Sequence, residues 1–150
     1  MSVHLRVITP ITTSGFRQLG HLKALETPGL EISHAEIATG PGSIETAIDD
    51  ALAVPGTLVE LARAEREGVD AVIIDCMADP GMNAGRELVR IPVIGPSQTS
   101  MLLAAMLGDR FSVITVLPRL RYQFERLARH YHLETALASV RSVDIPVLEL

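Results

Sequence analysis

The sequence predicts an α/β fold with a largely parallel sheet, because short apolar segments of strand length alternate with longer segments of helical periodicity. Segment 69–75 is apolar on both faces between its polar ends, which is typical of a central strand covered by helices. Strands are predicted at 3–9, 30–37, 69–75, 92–95, 111–116 and 138–143. Helices are predicted at 14–26, 43–67 with a break or kink at Pro55, 81–90, 97–108 and 118–132.

The first predicted strand ends in a loop rich in hydroxyl groups that leads into the first helix. This loop contains Thr9, Pro10, Thr12 and Thr13, and it lacks both the glycine pattern of dinucleotide binding and the lysine of a P-loop. Capping of the helix by Thr13 or Ser14 is one interpretation. The other is that these hydroxyl and amide groups donate hydrogen bonds to a carboxylate or imide.

The second predicted strand is followed by a glycine-containing turn at 40–45, after which the longest helix begins. Ser43 in this turn is a candidate N-cap, with a position in the wall of a ligand pocket as the alternative. Gly68 is expected to end this helix just before the central strand.

Cys76 directly follows the predicted central strand, at the edge of a parallel sheet where ligands usually bind. A helix beginning near Gly81 would favour the thiolate form through its dipole, as would amide donors. The neighbouring carboxylates of Asp75 and Asp79 would instead raise the pKa of the thiol unless they point away. Cys76 is therefore a candidate proton-transfer residue, with a buried structural cysteine as the alternative.

The predicted fifth strand resembles the first, since Leu5–Thr9 and Phe111–Thr115 share three identities in five positions at an offset of 106 residues. Each segment is followed by a predicted helix and another strand. Either the chain contains a duplication, or two unrelated buried strands are similar by chance. A duplication predicts a first domain at 1–109 and an incomplete second domain at 110–150, with Thr115 as the counterpart of the first loop's threonines.

The composition argues against nucleic acid as a partner. The chain has 13 Lys and Arg against 18 Asp and Glu, and aromatic residues make up only 3% of it. His130 and His132 are two residues apart on a predicted helix end and face different ways, so a metal site is not expected.

No feature of the sequence predicts contact with a membrane. The longest apolar runs, such as 101–107, are far shorter than the roughly 20 residues that cross a bilayer. Residues 1–10 do not resemble a secretory signal, and a chain with one cysteine forms no internal disulfide. Cytoplasmic localisation is the expectation.

Several of these segments together resemble the Asp/Glu/hydantoin racemase family, and most of all its hydantoin and allantoin racemase branch. The segments are 7–13, 40–45, 75–81 with 84–88, 107–115 and 139–148. The most specific of them is 75–81, in which the cysteine is followed by aspartate, proline and glycine.

The resemblance implies a parallel-sheet three-layer sandwich in two pseudo-symmetric domains that face each other across a cleft. Each domain of such a protein supplies one cysteine, and no cofactor is required. By this resemblance Cys76 is the first-domain base, and an equivalent cysteine would lie beyond Leu150. Thr9 and Ile11 stand where asparagines are usual in the family.

The function expected from this resemblance is racemisation or epimerisation of a hydantoin- or allantoin-like cyclic ureide by a homo-oligomeric enzyme. The residues expected to bind the small-molecule substrate are Thr9, Pro10, Thr12, Thr13, Ser43, Met77, Ala78 and Thr115. Two alternatives remain. One is an enzyme similar to arylmalonate decarboxylase or maleate isomerase, and the other is a non-catalytic binding or assembly module.

Overall fold

A computed structural model describes residues 2–149 of the chain. The strands are β1 (Val3–Thr9), β2 (Leu30–Glu36), β3 (Ala71–Ile74), β4 (Val93–Ile94), β5 (Phe111–Thr115) and β6 (Leu137–Ser142). The α-helices are α1 (Leu19–Lys23), α2 (Ala47–Arg66), α3 (Met82–Leu88), α4 (Pro96–Leu107) and α5 (Arg121–His130). Short 3-10 helices lie at Pro118–Leu120 and Val147–Glu149.

Four strands form a parallel sheet in the order β2-β1-β3-β4, and β5 pairs with β6 in a separate parallel sheet. The predicted central position of β3 is confirmed, because it lies between β1 and β4. Ile8 of β1 pairs with Ile74 of β3. The residues that follow these two strands therefore emerge side by side at the same edge of the sheet.

The apolar side chains pack in two clusters. The first surrounds the four-stranded sheet and is centred on fully buried residues such as Ile8, Leu61 and Ile74. The second packs beneath β5 and β6 and consists of Met101, Leu117, Leu120, Phe124, Ala128 and Val140. Tyr131, which follows α5, is partly buried and packs against both clusters.

The first predicted helix is much shorter than expected. Residues 14–18 form a loop instead, and only Leu19–Lys23 is helical. Gly15 adopts a left-handed conformation at φ 78°, which interrupts a helix. The side chains of Phe16 and Arg17 lie in the wall of a cavity, so the loop is held by tertiary contacts rather than by helical periodicity.

The long second helix shows no break at Pro55, so the first of the two alternatives predicted there, a break or a kink, was wrong. Helix α2 contains Pro55 in its interior. Its N-cap is Thr46, whose hydroxyl accepts a hydrogen bond from the Asp49 amide at 3.2 Å, so the capping prediction for Ser43 was wrong. Gly68, at φ 78°, follows the helix as predicted.

The last predicted helix, at 118–132, is divided into the 3-10 turn Pro118–Leu120 and α5. Helix α5 ends at His130, and His132 adopts a left-handed conformation at φ 60°. Among residues 2–149, no helix is both long enough and apolar enough to span a bilayer.

Candidate active site

The ends of β1, β3 and β5 open onto a cavity of about 290 Å³. Cys76, the second residue after β3, lies in the wall of this cavity. The lining is largely apolar and comes from both parts of the chain. It comprises Thr9, Pro10, Ile11, Phe16, Arg17, Ile44, Asp75, Cys76, Met77, Ala78, Pro96, Val113, Ile114, Thr115, Val116, Leu120, Gln123, Phe124 and Val147. Apolar walls with a few polar groups are typical of sites for small organic ligands.

The thiol of Cys76 is partly buried, and its surroundings favour the protonated form. Desolvation raises the pKa of Cys76 to about 12, and the carboxylates of Asp50, Asp79 and Asp75 also raise it. The Ala78 amide, 3.5 Å from Sγ, acts in the opposite direction. The structure therefore does not show the expected activation of the thiolate, because burial outweighs the one amide, that of Ala78, which donates to the sulfur among residues 2–149.

The carboxylate of Asp75 is paired with the guanidinium of Arg17. Its two carboxylate oxygens accept hydrogen bonds from Nε and Nη2 of Arg17, each at 2.6 Å. The Thr9 hydroxyl donates to Asp75 at 3.2 Å and lies 2.8 Å from Nε2 of His34. Burial lowers the pKa of His34, which favours the neutral imidazole at this position.

Asp79 is buried, and its carboxylate is directed toward the beginning of α4. It accepts hydrogen bonds from the amides of Ser97 at 2.9 Å and Gln98 at 2.8 Å, and from the Tyr131 hydroxyl at 2.6 Å. The two aspartates that flank the cysteine loop are thus both engaged by other groups. Their charges still contribute to the raised pKa of Cys76.

The cavity brings together six of the nine predicted site residues: Thr9, Pro10, Cys76, Met77, Ala78 and Thr115. Thr9 is almost fully buried, and its hydroxyl is already bonded to the protein. Within residues 2–149, the Met77 amide has no hydrogen-bond acceptor, which leaves a donor beside Cys76.

The other three predicted residues, Thr12, Thr13 and Ser43, are not in the cavity lining. Thr12 and Thr13 donate from their hydroxyls to the carbonyl oxygens of Pro41 and Gly42, at 3.2 and 2.6 Å. These hydrogen bonds join the loop after β1 to the loop after β2. Neither of the two predicted roles for Thr13, helix capping and lining the pocket, is seen.

Sequence reasoning missed Arg17, Pro96 and Gln123, which also line the cavity. The predicted helix 14–26 includes Arg17, and nothing in the sequence around this residue indicates a place in a binding site. The glycine at position 15 was the one local sign that the chain leaves helical geometry before Arg17. Gln123 lies on α5, and only the three-dimensional fold places it in the lining of the same cavity as Cys76.

Within the described range, no group of three or more His, Cys, Asp or Glu side chains could hold a metal ion. His130 lies outside the cavity, with Nε2 2.9 Å from the side-chain nitrogen Nδ2 of Asn83.

Comparison with known proteins shows which family this chain resembles in sequence and fold. The family model of Asp/Glu/hydantoin racemase matches residues 6–150. The chain belongs to the Asp/Glu/hydantoin racemase family. Its parallel-sheet, three-layer architecture is the one expected of this family.

Two curated relatives in this family are hydantoin racemases. One, from a Pseudomonas species, is 37% identical over 147 residues, covering 97% of this chain and 59% of the relative. The other, from Rhizobium meliloti, is 39% identical over 155 residues, covering 99% of this chain and 62% of the relative. The chain thus spans about three fifths of the length of these relatives.

Solved structures of the family include a similar allantoin racemase from Klebsiella pneumoniae. It superposes with a TM-score of 0.92 at 36% identity, covering 98% of this chain and 61% of that protein. At this coverage, the shared fold includes both parallel sheets of the chain.

Proposed function

We propose that this chain belongs to a cofactor-independent racemase or epimerase of hydantoin- or allantoin-like cyclic ureides, with Cys76 as the proton-transfer group. The main observation in support is that the chain's single cysteine lines the cavity at the carboxyl edge of the sheet. The similarity to hydantoin and allantoin racemases supports the choice of reaction and substrate class.

In this proposal the Cys76 thiolate removes the proton from the ring carbon that carries the substituent. The electron pair of that C–H bond moves into the adjacent carbonyl, which becomes an enolate oxygen, and the sulfur becomes a thiol. Return of a proton to the same carbon re-forms the C–H bond and the carbonyl group of the ring. Return on the opposite face requires a second donor, which the family resemblance assigns to another cysteine.

The developing enolate oxygen needs hydrogen-bond donors that are not already used. The Met77 amide is the best candidate among the described residues, because it lies beside Cys76 without an acceptor. Thr115 lines the cavity from the end of β5 and is a second candidate. The Ala78 amide, which is also expected from the sequence, first has to leave the sulfur. Thr12, the other residue expected to act on this oxygen, lies outside the cavity lining with its hydroxyl donated to the Pro41 carbonyl.

We further propose a division into two domains, an assembly, a location and a class of partner. The division into domains at 1–109 and 110–150 agrees with the separation of the two sheets, although Met101 of α4 packs in the second apolar cluster. Assembly into a homo-oligomer and a cytoplasmic location are further expectations from the sequence. Small cyclic ureides are the proposed partners, without nucleic acid.

A substrate panel tests the proposed reaction. The chain is incubated in deuterium oxide with a 5-alkylhydantoin, allantoin, aspartate, a disubstituted malonate and maleate, and each solution is followed by proton NMR. We expect deuterium at the stereocentre of the hydantoin or allantoin, but no reaction of the malonate or maleate.

Each other outcome contradicts the proposal in a specific way. Loss of carbon dioxide from the malonate, or isomerisation of maleate, indicates the decarboxylase-like or isomerase-like alternative. A chain that binds ureides without exchange, and whose binding is unchanged by alkylation of Cys76, is a binding module instead.

A further inference from the structure

Asp79 joins the cysteine loop to two other elements. Its backbone amide donates to the Cys76 carbonyl at 3.0 Å, so the loop 76–79 forms a closed turn. Its carboxylate caps the first turn of α4 through the amides of Ser97 and Gln98. From the same helix, the Ser97 hydroxyl donates to the Met77 carbonyl at 2.5 Å. The loop that carries the thiol is therefore bound to α4 at two separate points.

The fit around this carboxylate is tight. Asp79 is a non-glycine residue in the left-handed region, at φ 52°, so a favourable set of contacts has to compensate for its backbone conformation. A Cβ atom on Gly95 would lie 2.5 Å from the Asp79 carboxyl carbon. Glycine at position 95 thus allows the start of α4 to approach Asp79 closely.

Tyr131 reaches the same carboxylate from the second part of the chain. It follows α5, packs against both apolar clusters, and donates from its hydroxyl to Asp79 at 2.6 Å. Burial and this hydrogen bond to Asp79 raise the pKa of Tyr131, so the hydroxyl remains a donor. The cavity wall beside Cys76 and the wall that α5 supplies are joined through this bond.

We propose that Asp79 and Tyr131 are positioning residues for Cys76. Asp79 holds the thiol's loop against α4, and Tyr131 fixes that carboxylate and partly neutralises its charge. The inference rests on the proposed function of Cys76, but its predicted effect on thiol reactivity does not require turnover.

The charged groups around the thiol come from several elements. Asp50 belongs to α2, Asp75 follows β3 and is paired with Arg17, and Asp79 lies in the loop itself. Of these, only Asp79 is hydrogen-bonded to Tyr131. Removal of the Tyr131 hydroxyl and removal of the Asp79 charge should therefore change the thiol pKa in opposite directions, although both changes remove native hydrogen bonds.

The test measures the rate of Cys76 alkylation by iodoacetamide at pH 9, below the thiol pKa, where the rate is proportional to the thiolate fraction. Tyr131→Phe should slow alkylation about threefold, the effect of roughly half a pKa unit. Asp79→Asn should accelerate alkylation, yet lower the rate of deuterium exchange into a 5-alkylhydantoin, because the more reactive thiol is no longer held in place. Tyr122→Phe, at an exposed tyrosine on α5, is the matched control.

Thermal unfolding of each variant separates positioning from stability, because a purely structural role lowers stability without opposite effects on thiol reactivity. The proposal is overturned if both variants change alkylation in the same direction, or if Tyr131→Phe behaves like Tyr122→Phe. If Cys76→Ala retains full exchange, the proposed function fails instead. The alkylation comparison then still tests whether Asp79 and Tyr131 position the thiol.

Discussion

At Cys76, the thiol combines access to a cavity with an environment that stabilises its neutral form. Because the pKa is about 12, the thiolate fraction should rise about tenfold for each pH unit between roughly pH 7 and 10. Alkylation of this residue by iodoacetamide is expected to follow that slope. A ligand that brings hydrogen-bond donors or positive charge to the sulfur would lower the pKa and increase the thiolate fraction.

Asp75→Asn should accelerate alkylation of Cys76 about threefold at pH 9, because the substitution removes a carboxylate that raises the pKa of the thiol. It also releases the Arg17 guanidinium from its bidentate pair at the cavity wall. The rate constant for iodoacetamide is the measurement, and Asp109→Asn, an exposed position, is the control. A slower reaction in Asp75→Asn would mean that the Asp75–Arg17 pair activates the thiol rather than suppressing it.

Among the elements, α2 illustrates that a local helix-breaking residue does not by itself interrupt a helix. Pro55 predicts a break or kink, yet α2 continues without a break from Ala47 to Arg66. A Cβ atom on Gly56 would lie 2.5 Å from the Thr39 carbonyl oxygen and 2.9 Å from Cβ of Ile37. Glycine is required here because the helix crosses the chain after β2 at close range, which local sequence does not reveal.

Gly56→Ala should therefore destabilise the protein by about 1–3 kcal/mol, despite the higher helix propensity of alanine. Gly20→Ala in α1 is the matched control, because a Cβ atom there meets nothing within 4 Å, and it should be neutral or slightly stabilising. Urea unfolding midpoints give the comparison. Equal effects of the two substitutions would contradict the close approach at Gly56.

The strands were predicted well because a period of two and buried apolar runs are local signals. β1 begins and ends where expected, and each end of the other strands lies within two residues of its predicted position. The site was predicted only in part. Cys76 and its neighbours follow directly from the position of β3, whereas Arg17 and Gln123 enter the cavity through tertiary packing that no single segment encodes.

In the molecule as a whole, the cavity lies between the carboxyl edge of the four-stranded sheet and residues from β5 and α5. Residues 1–150 contain one cysteine, so in the proposed mechanism this chain offers one thiol to one face of the ring. We expect it to exchange the ring proton of one enantiomer with retention of configuration, since the same sulfur removes and returns the proton. Rapid interconversion of both enantiomers by this chain, followed by circular dichroism, would contradict a single-thiol mechanism.

The most direct test of the central claim is proton NMR of a resolved 5-alkylhydantoin in deuterium oxide with the unaltered chain and with Cys76→Ala. Circular dichroism confirms beforehand that both proteins are folded. The proposed role of Cys76 predicts loss of the ring C–H signal with the unaltered chain, and only the uncatalysed rate with Cys76→Ala. Equal exchange by the two proteins would contradict it.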